Sequence, residues 1–289
     1  MTKQLKFPLL QGGSITLQGG FDGSAADLSL LARLVHLREC HEQAGSLPEV
    51  VWSQSLQDAP EDDSCVFRSK SVSVLYDPNG EVFRICLRDT FHLELQHSGI
   101  FLWHLSVICG ALAALLRGRK VQLMHCSMLE KSDQALLLLG ESGIGKSTSM
   151  RRWQESGGEA VADDMVLLEY LEDKIAVHRL PTWSACRIKL EGRVYAYDPP
   201  LQLKNVLAIT RGEANESVQA VSNAEYYAQL YRCGFFHYQP IAQNLPLTAQ
   251  KQLAASLRDF TAILTERFKP QAFFAHLDGD IRESLGDFL

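Results

Sequence analysis

Apolar positions set the first division of the chain. Residues 14–17 alternate as a short strand, and in 27–44 the residues Leu28, Leu30, Leu31, Leu34 and Val35 recur at helical spacing and predict a helix. Residues 45–64 are polar and turn-rich, with Pro60 followed by three acids, and predict a loop. Next, 71–76 and 81–86 alternate or run apolar around the turn sequence Asp77-Pro-Asn-Gly80, which predicts a hairpin, and 91–96 is a candidate third strand. The run IFLWHLSVICGALAALL at 100–116 is almost free of polar groups. Its 17 residues stand at the short limit for crossing a bilayer, and His104, Ser106 and Gly110 interrupt it, so it predicts a helix buried on all sides and no membrane partner.

The second half alternates strands and helices. The pattern predicts a strand over 121–129, a polar turn at 130–134, an apolar strand at 135–139, a glycine loop, a helix, and a strand leading to an acidic pair. A hairpin follows at 165–170 and 174–179 around Glu172-Asp173, then a strand at 206–209. A long helix over 247–268 aligns Leu253, Leu257, Phe260 and Ile263 on one face, and Phe273 and Phe274 stand in a last strand. The change of character near residue 98 divides the chain into an accessory α+β region, 1–98, and an α/β domain, 99–289.

Composition adds exclusions. Hydrophobic residues make up 46% and charged residues 21% of the 289, which fits a globular domain rather than a disordered chain. The net charge is −6 and no Lys/Arg run exceeds two residues, so no nucleic-acid groove is expected. The seven cysteines, at 40, 65, 86, 109, 126, 186 and 233, offer no CxxC spacing, which argues for small core residues in a reducing compartment. With no apolar core of signal-peptide length near the start, a cytoplasmic location is expected.

The chemistry is concentrated at 140–148, which reads GESGIGKST. Gly140, Gly145, Lys146 and Ser147 satisfy G-x-x-x-x-G-K-[ST], between a leucine-rich strand and a helical run. Such a loop can fold its backbone N–H groups around a phosphate chain because its glycines reach conformations closed to other residues. The following helix adds unpaired N–H groups and the positive end of its dipole. The expected ligand is a nucleoside triphosphate, ATP, with Mg²⁺. Gly140, Glu141, Ser142, Gly143, Ile144, Gly145, Lys146, Ser147 and Thr148 form the cradle, Lys146 reaches the β- and γ-phosphates, and Ser147 sets its hydroxyl on the metal. Farther on, an apolar strand ends in Asp163 and Asp164. One of these carboxylates can hold Mg²⁺ and the other can take the proton of an attacking hydroxyl.

Taken together, residues 124–170 resemble the catalytic segment of HPr kinase/phosphorylase. The resemblance rests on Met124-His125, the loop GESGIGKST, Gly157-Gly158 after the helix, and Ala160-Val-Ala-Asp-Asp164, in the family's order and spacing. A related loop and acidic pair occur in ATP-dependent phosphoenolpyruvate carboxykinase. The resemblance implies an α/β fold, a P-loop HPr kinase/phosphoenolpyruvate carboxykinase-like mixed sheet flanked by helices. It implies that Asp163 is the proton acceptor, that Asp164 stands beside the metal, and that His125 lies close to that aspartate. The family's downstream E-I-R-G-L-G signature is absent; 181–193 read PTWSACRIKLEGR, in which Glu191 and Arg193 are the nearest remnant. Phosphorylase activity and hexameric assembly are therefore left open by the resemblance, as is homo-oligomerisation in general.

The expected function is a kinase that moves the γ-phosphoryl of ATP onto a hydroxyl, foremost a serine of a protein or precursor peptide. Two alternatives remain: a kinase of a small molecule such as free serine or a sugar, and a nucleotide-binding accessory protein of a peptide-maturation system. Tyr195, Tyr197 and the aromatic cluster at 231–238 are candidates for shaping an acceptor site.

Overall fold

The computed structural model describes residues 64–70, 72–78, 82–87, 98–160, 162–180, 199–213 and 215–289, and before residue 64 the backbone of four strands. The chain divides into two compact units, one formed by 1–121, 192–198 and 238–256, the other by 122–191, 199–237 and 257–289.

The first unit carries a seven-stranded mixed sheet. Its strands are β1 (Gln4–Pro8), β2 (Ser14–Gly19), β3 (Glu39–Cys40), β4 (Glu49–Ser53), β5 (Cys65–Arg68), β6 (Val72–Asp77) and β7 (Val82–Leu87), in the order β3-β1-β2-β4-β7-β6-β5. Helix α1 (Ser98–Leu116) packs on β2, β4 and β7. Leu102, Trp103, Leu112 and Ala113 on different sides of it are all buried, as its lack of a polar face requires. Among the described residues no helix is long and apolar enough to cross a membrane. Two expectations fail here. The helix expected over 27–44 does not extend through its last turn, because Glu39 and Cys40 pair with Leu5 and Gln4 of β1. The loop expected over 45–64 contains β4, where Val50, Val51 and Trp52 are strand formers held between the parallel neighbours β2 and β7. The rest of 27–44 and the strand expected at 91–96 lie outside the described residues.

In the second unit, an eight-stranded mixed sheet is flanked by helices. Its strands are β8 (Val121–Met124), β9 (Cys126–Lys131), β10 (Gln134–Leu139), β11 (Val166–Tyr170), β12 (Ile175–Arg179), β13 (Leu201–Arg211), β14 (Ser217–Ala220) and β15 (Gln271–Ala275). Strand β10 is antiparallel to β9 and parallel to β13, and β13 is parallel to β15. The β9–β10 hairpin closes through Ser132 and Asp133, both at positive φ, as a two-residue turn matched to strand twist requires. The expected hairpin at 165–179 forms as β11 and β12.

Helix α2 (Lys146–Glu155) follows β10 and packs Met150 and Trp153 onto Leu129, Leu136, Leu138, Leu207, Ile209 and Phe273. Its end is set by Gly157 at φ 85, where the N–H groups of Gly157 and Gly158 return to the carbonyls of Gln154 and Trp153. Helix α3 (Asn223–Phe235) begins at a capping box in which Ser222 and Glu225 satisfy each other's backbone N–H. The chain continues through α4 (Gln239–Ala242), α5 (Leu247–Arg267), which fulfils the helix expected over 247–268, and α6 (Ile281–Leu285).

Candidate active site

The loop at 140–145 leaves the carboxyl end of β10 and enters α2, where sheets with parallel strands present their ligand crevices. Gly143 lies at φ 80 and Gly145 at φ 124, so the curl uses glycine where a side chain would be strained. Gly140 serves differently: a Cβ there would stand 2.7 Å from the methyl carbons of both Ile144 and Ile209.

Lys146 does not extend into solvent. Its Nζ donates to the carbonyls of Gly140 (2.8 Å) and Glu141 (3.0 Å) and to Nε2 of His125 (3.1 Å), and the residue is only 5% exposed. His125, between β8 and β9, donates from Nδ1–H to the carbonyl of Asp164 at 2.9 Å. These two contacts require the Nδ1–H tautomer, with Nε2 free to accept from the ammonium. Burial, and then the adjacent Lys146 charge, push the His125 imidazole below its ordinary pKa. Burial likewise lowers that of Lys146.

The acidic pair is positioned by the segment after α2. Glu130 N–H donates to the carbonyl of Glu159 at 2.8 Å and Met128 N–H to that of Ala162 at 2.9 Å, so this segment runs along β9. Asp163 thereby faces Ser127, whose hydroxyl donates to Asp163 Oδ1. Asp163 is 0% exposed, and its Oδ2 has no hydrogen-bond partner. A buried carboxylate oxygen without a donor is costly, by roughly 1–3 kcal/mol, and marks a position prepared for a proton or a cation. Asp164 sits at φ 72, a left-handed conformation that a short polar residue tolerates. Its carbonyl receives a second donor, Nε2 of His237, at 2.9 Å.

The structure brings the loop, Lys146, His125 and the Asp164 carbonyl together and sets Asp163 against Ser127. Ser127 was not among the predicted residues, and the aromatic cluster at 231–238, considered for an acceptor site, runs through the C-terminal turn of α3. In that turn the Cys233 carbonyl accepts from His125 N–H at 3.0 Å, Phe236 stacks on His125 with ring centroids 4.1 Å apart, and His237 binds Asp164. Arg232 reaches Glu141 of the loop at 3.0 Å. The Cys126 and Cys233 thiols are pushed up by burial, Cys233 to about 11, and stay protonated at neutral pH. Tyr195, Tyr197, Glu191 and Arg193 lie outside the described residues.

Beside the loop, a cavity of about 500 Å³ opens between α2 and the ends of β13 and β15, lined among others by Gly143, Gly145, Thr148, Arg211, His276 and Leu277. Among the described residues no group of three or more His, Cys, Asp or Glu side chains forms a metal cage. The oxygens of Ser147, Asp163 and Asp164 nonetheless suit Mg²⁺, which takes one or two protein oxygens and completes its shell with phosphate and water. The orphaned Asp163 Oδ2 agrees with a cation nearby.

A glycine loop joining a strand to a helix, with its lysine folded onto the loop carbonyls and an acidic turn beside it, has the form of a phosphate-binding loop. The family model for the SynChlorMet cassette protein ScmC matches residues 95–235. Over 106 residues the chain is 26% identical to the HPr kinase/phosphorylase of Peptoclostridium acidaminophilum, a match covering 37% of this chain and 33% of that relative. The chain thus spans about a third of the curated relative it matches. The HPr(Ser) kinase/phosphatase structure from Coxiella burnetii aligns at 17% identity and a TM-score of 0.24, covering 32% of this chain and 68% of that one. In sequence, the chain is similar to HPr kinase/phosphorylase over about a third of its length.

Proposed function

We propose that this chain is an ATP- and Mg²⁺-dependent kinase that transfers the γ-phosphoryl group to a hydroxyl, a serine of a protein or precursor peptide. The observation that carries the proposal is the contact chain from Lys146 through His125 to the Asp164 carbonyl, which fixes the acidic turn against the loop. The backbone N–H groups of the loop and the start of α2 hold the phosphates. Lys146 exchanges its two loop carbonyls for β- and γ-phosphate oxygens. Ser147 and Asp164 would hold Mg²⁺, which supplies charge neutralisation on those oxygens. Ser127 keeps Asp163 oriented by binding Oδ1, leaving Oδ2 to accept the acceptor's hydroxyl proton. The nucleoside lies in the cavity beside Arg211 and Leu277, whose volume suits it. The matching family is described as a cassette protein, which supports an acceptor supplied by a companion of the same cassette.

The complete burial of Asp163 favours a second reading, a nucleotide-binding accessory protein, because a base must meet its acceptor. One experiment separates the two. Radiolabelled ATP is offered with candidate peptides and with a metabolite pool, using wild type and Asp163→Asn. A kinase loses transfer by on the order of 10²-fold in the variant while binding of Mg-ATP is nearly intact. Tight ATP binding with no transfer to either pool leaves the accessory reading standing, and label on metabolites alone replaces the peptide acceptor by a small molecule.

A further inference from the structure

We infer that Glu216 is a positioning residue for the nucleotide: with Arg152 it holds the segment 276–279 as one wall of the cavity, where His276 and Leu277 meet the nucleoside; this rests on the nucleotide reading above. Arg152 shares a face of α2 with Thr148 and Ser149, and all three line the cavity. Its Nη1 donates to Oε1 of Glu216 and its Nη2 to the Gly279 carbonyl. The same Oε1 accepts from His276 N–H at 3.2 Å. One ion pair thus ties together three stretches of chain: α2, the connection between β13 and β14, and the segment after β15.

The Arg152 and Glu216 side chains are only 15% and 1% exposed, so salt screens this pair far less than one on the surface. Glu216 Oε2 has no hydrogen-bond partner, so the carboxylate is held through Oε1, and both of its bonds depend on one oxygen. Two glycines permit the close approach. A Cβ at Gly279 would stand 2.3 Å from Glu216 Cγ and 2.5 Å from its Oε2. Gly212 N–H donates to the Ala275 carbonyl at 2.8 Å, and a Cβ there would lie 3.1 Å from the Phe274 carbonyl oxygen.

Residues 276–279 belong to no strand or helix, so the bonds to Glu216 and Arg152 set their course, together with a turn in which Gly279 N–H meets the His276 carbonyl at 3.4 Å. Leu277, 73% exposed, lines the cavity from this turn. Beside it, His276 Nδ1 accepts from Asp278 N–H at 3.4 Å, which leaves Nε2–H as a donor on the neutral ring. An apolar side chain and a single donor suit the face and one edge acceptor of a nucleobase. Glu216 itself does not line the cavity, so it acts on the nucleoside through the wall it holds.

The test is calorimetry on the full chain with Mg-ATP and with Mg-tripolyphosphate, which carries the phosphates without the nucleoside. Glu216→Gln keeps the shape and removes the charge. It should lower Mg-ATP affinity by roughly tenfold and Mg-tripolyphosphate affinity by no more than about twofold, since the loop and the start of α2 still hold the phosphates. Arg152→Met combined with Glu216→Leu should show the same split. It replaces the pair by apolar bulk and leaves no lone buried charge, so it stands in should the single variant fail to fold. Glu216→Gln combined with Leu277→Ala should cost less Mg-ATP affinity than the two losses added, because both act on one wall. Equal weakening of both ligands, unchanged Mg-ATP affinity or additive losses would make the pair a structural brace and overturn the inference, while the nucleotide reading stands. If wild type binds tripolyphosphate as tightly as ATP, the cavity does not hold the nucleoside, and if it binds neither, the nucleotide reading itself fails; either result ends this inference.

Discussion

Gly158→Ala tests how the acidic turn is delivered to the loop. A Cβ at this position would lie 2.1 Å from Trp153 Nε1 and 2.4 Å from its Cδ1 and Cε2, at least 1 Å inside the 3.4–4 Å of ordinary contact. The clash is with a rigid ring. Trp153 is 3% exposed, donates from Nε1–H to the Glu130 carbonyl at 3.3 Å, and belongs to the cluster formed by Leu129, Leu136, Met150 and Phe273. The chain can shift its backbone against the ring, at roughly 1–3 kcal/mol for overpacking. Or it can expel the indole, at a cost near the roughly 3–5 kcal/mol of deleting a buried aromatic. The cheaper route sets the expectation, a loss of about 2–3 kcal/mol. The same shift bears on Glu159, whose carbonyl accepts from Glu130 N–H, so Mg-ATP binding should weaken as well. Urea denaturation followed by circular dichroism measures the first effect and calorimetry the second. Combining Gly158→Ala with Trp153→Leu, which removes the ring, should cost less than the sum of the two single changes. A Gly158→Ala protein within about 0.5 kcal/mol of wild type would refute the packing argument, since that is the range of an inert surface substitution.

Further expectations follow from the site. In the wild type, calorimetry should find Mg-ATP bound at least about tenfold more tightly than Mg-tripolyphosphate, because only the former fills the cavity beside Arg211, and Leu277→Asp should narrow the gap. Acid should weaken the fold through His125. Its folded pKa lies below its ordinary 6.5, so its contribution is complete above that value and is lost as pH falls through the lower one. Urea midpoints at pH 7 and pH 5 should therefore differ more for wild type than for His125→Asn; an equal difference would place the titrating group elsewhere. The loss assigned to Asp163→Asn completes the set.

What the sequence disclosed about this site was its local part. The loop at 140–148 was legible because its constraints are consecutive: an apolar strand, glycines where φ must turn positive, and a helix opening at Lys146. Asp163 and Asp164 were read from their order after the loop, and the structure ties the stretch before them to β9 at Glu159 and Ala162, beyond the glycine pair that ends α2. Ser127 was hidden because β9 is covered on both faces. Its residues are buried from Cys126 through Glu130, so no alternation separates an inward serine from an outward one. In the first unit, β4 was hidden because its apolar core is only Val50, Val51 and Trp52 within a polar stretch.

Helix α3 is the instructive miss, since a signal was present. Ser222 followed by Glu225 is a capping box, and it predicts a helix start that the aromatic run at 231–238 obscured. Recognising the start would still not have located the end beside the loop. That depends on Tyr226 reaching Val206, Gln122 reaching Gly234, and His125 reaching Cys233, contacts between residues far apart in sequence that no local pattern encodes. The same contacts explain why two histidines meet on one carbonyl. His125 arrives from the β8–β9 junction and His237 from the turn after α3, and both bind the Asp164 oxygen. A left-handed aspartate costs roughly 1–2 kcal/mol, so the turn keeps that shape because two separate elements hold it from opposite directions in sequence. The glycine loop is thus specified by nine consecutive residues, whereas the geometry of the group opposite it depends on contacts across the second unit.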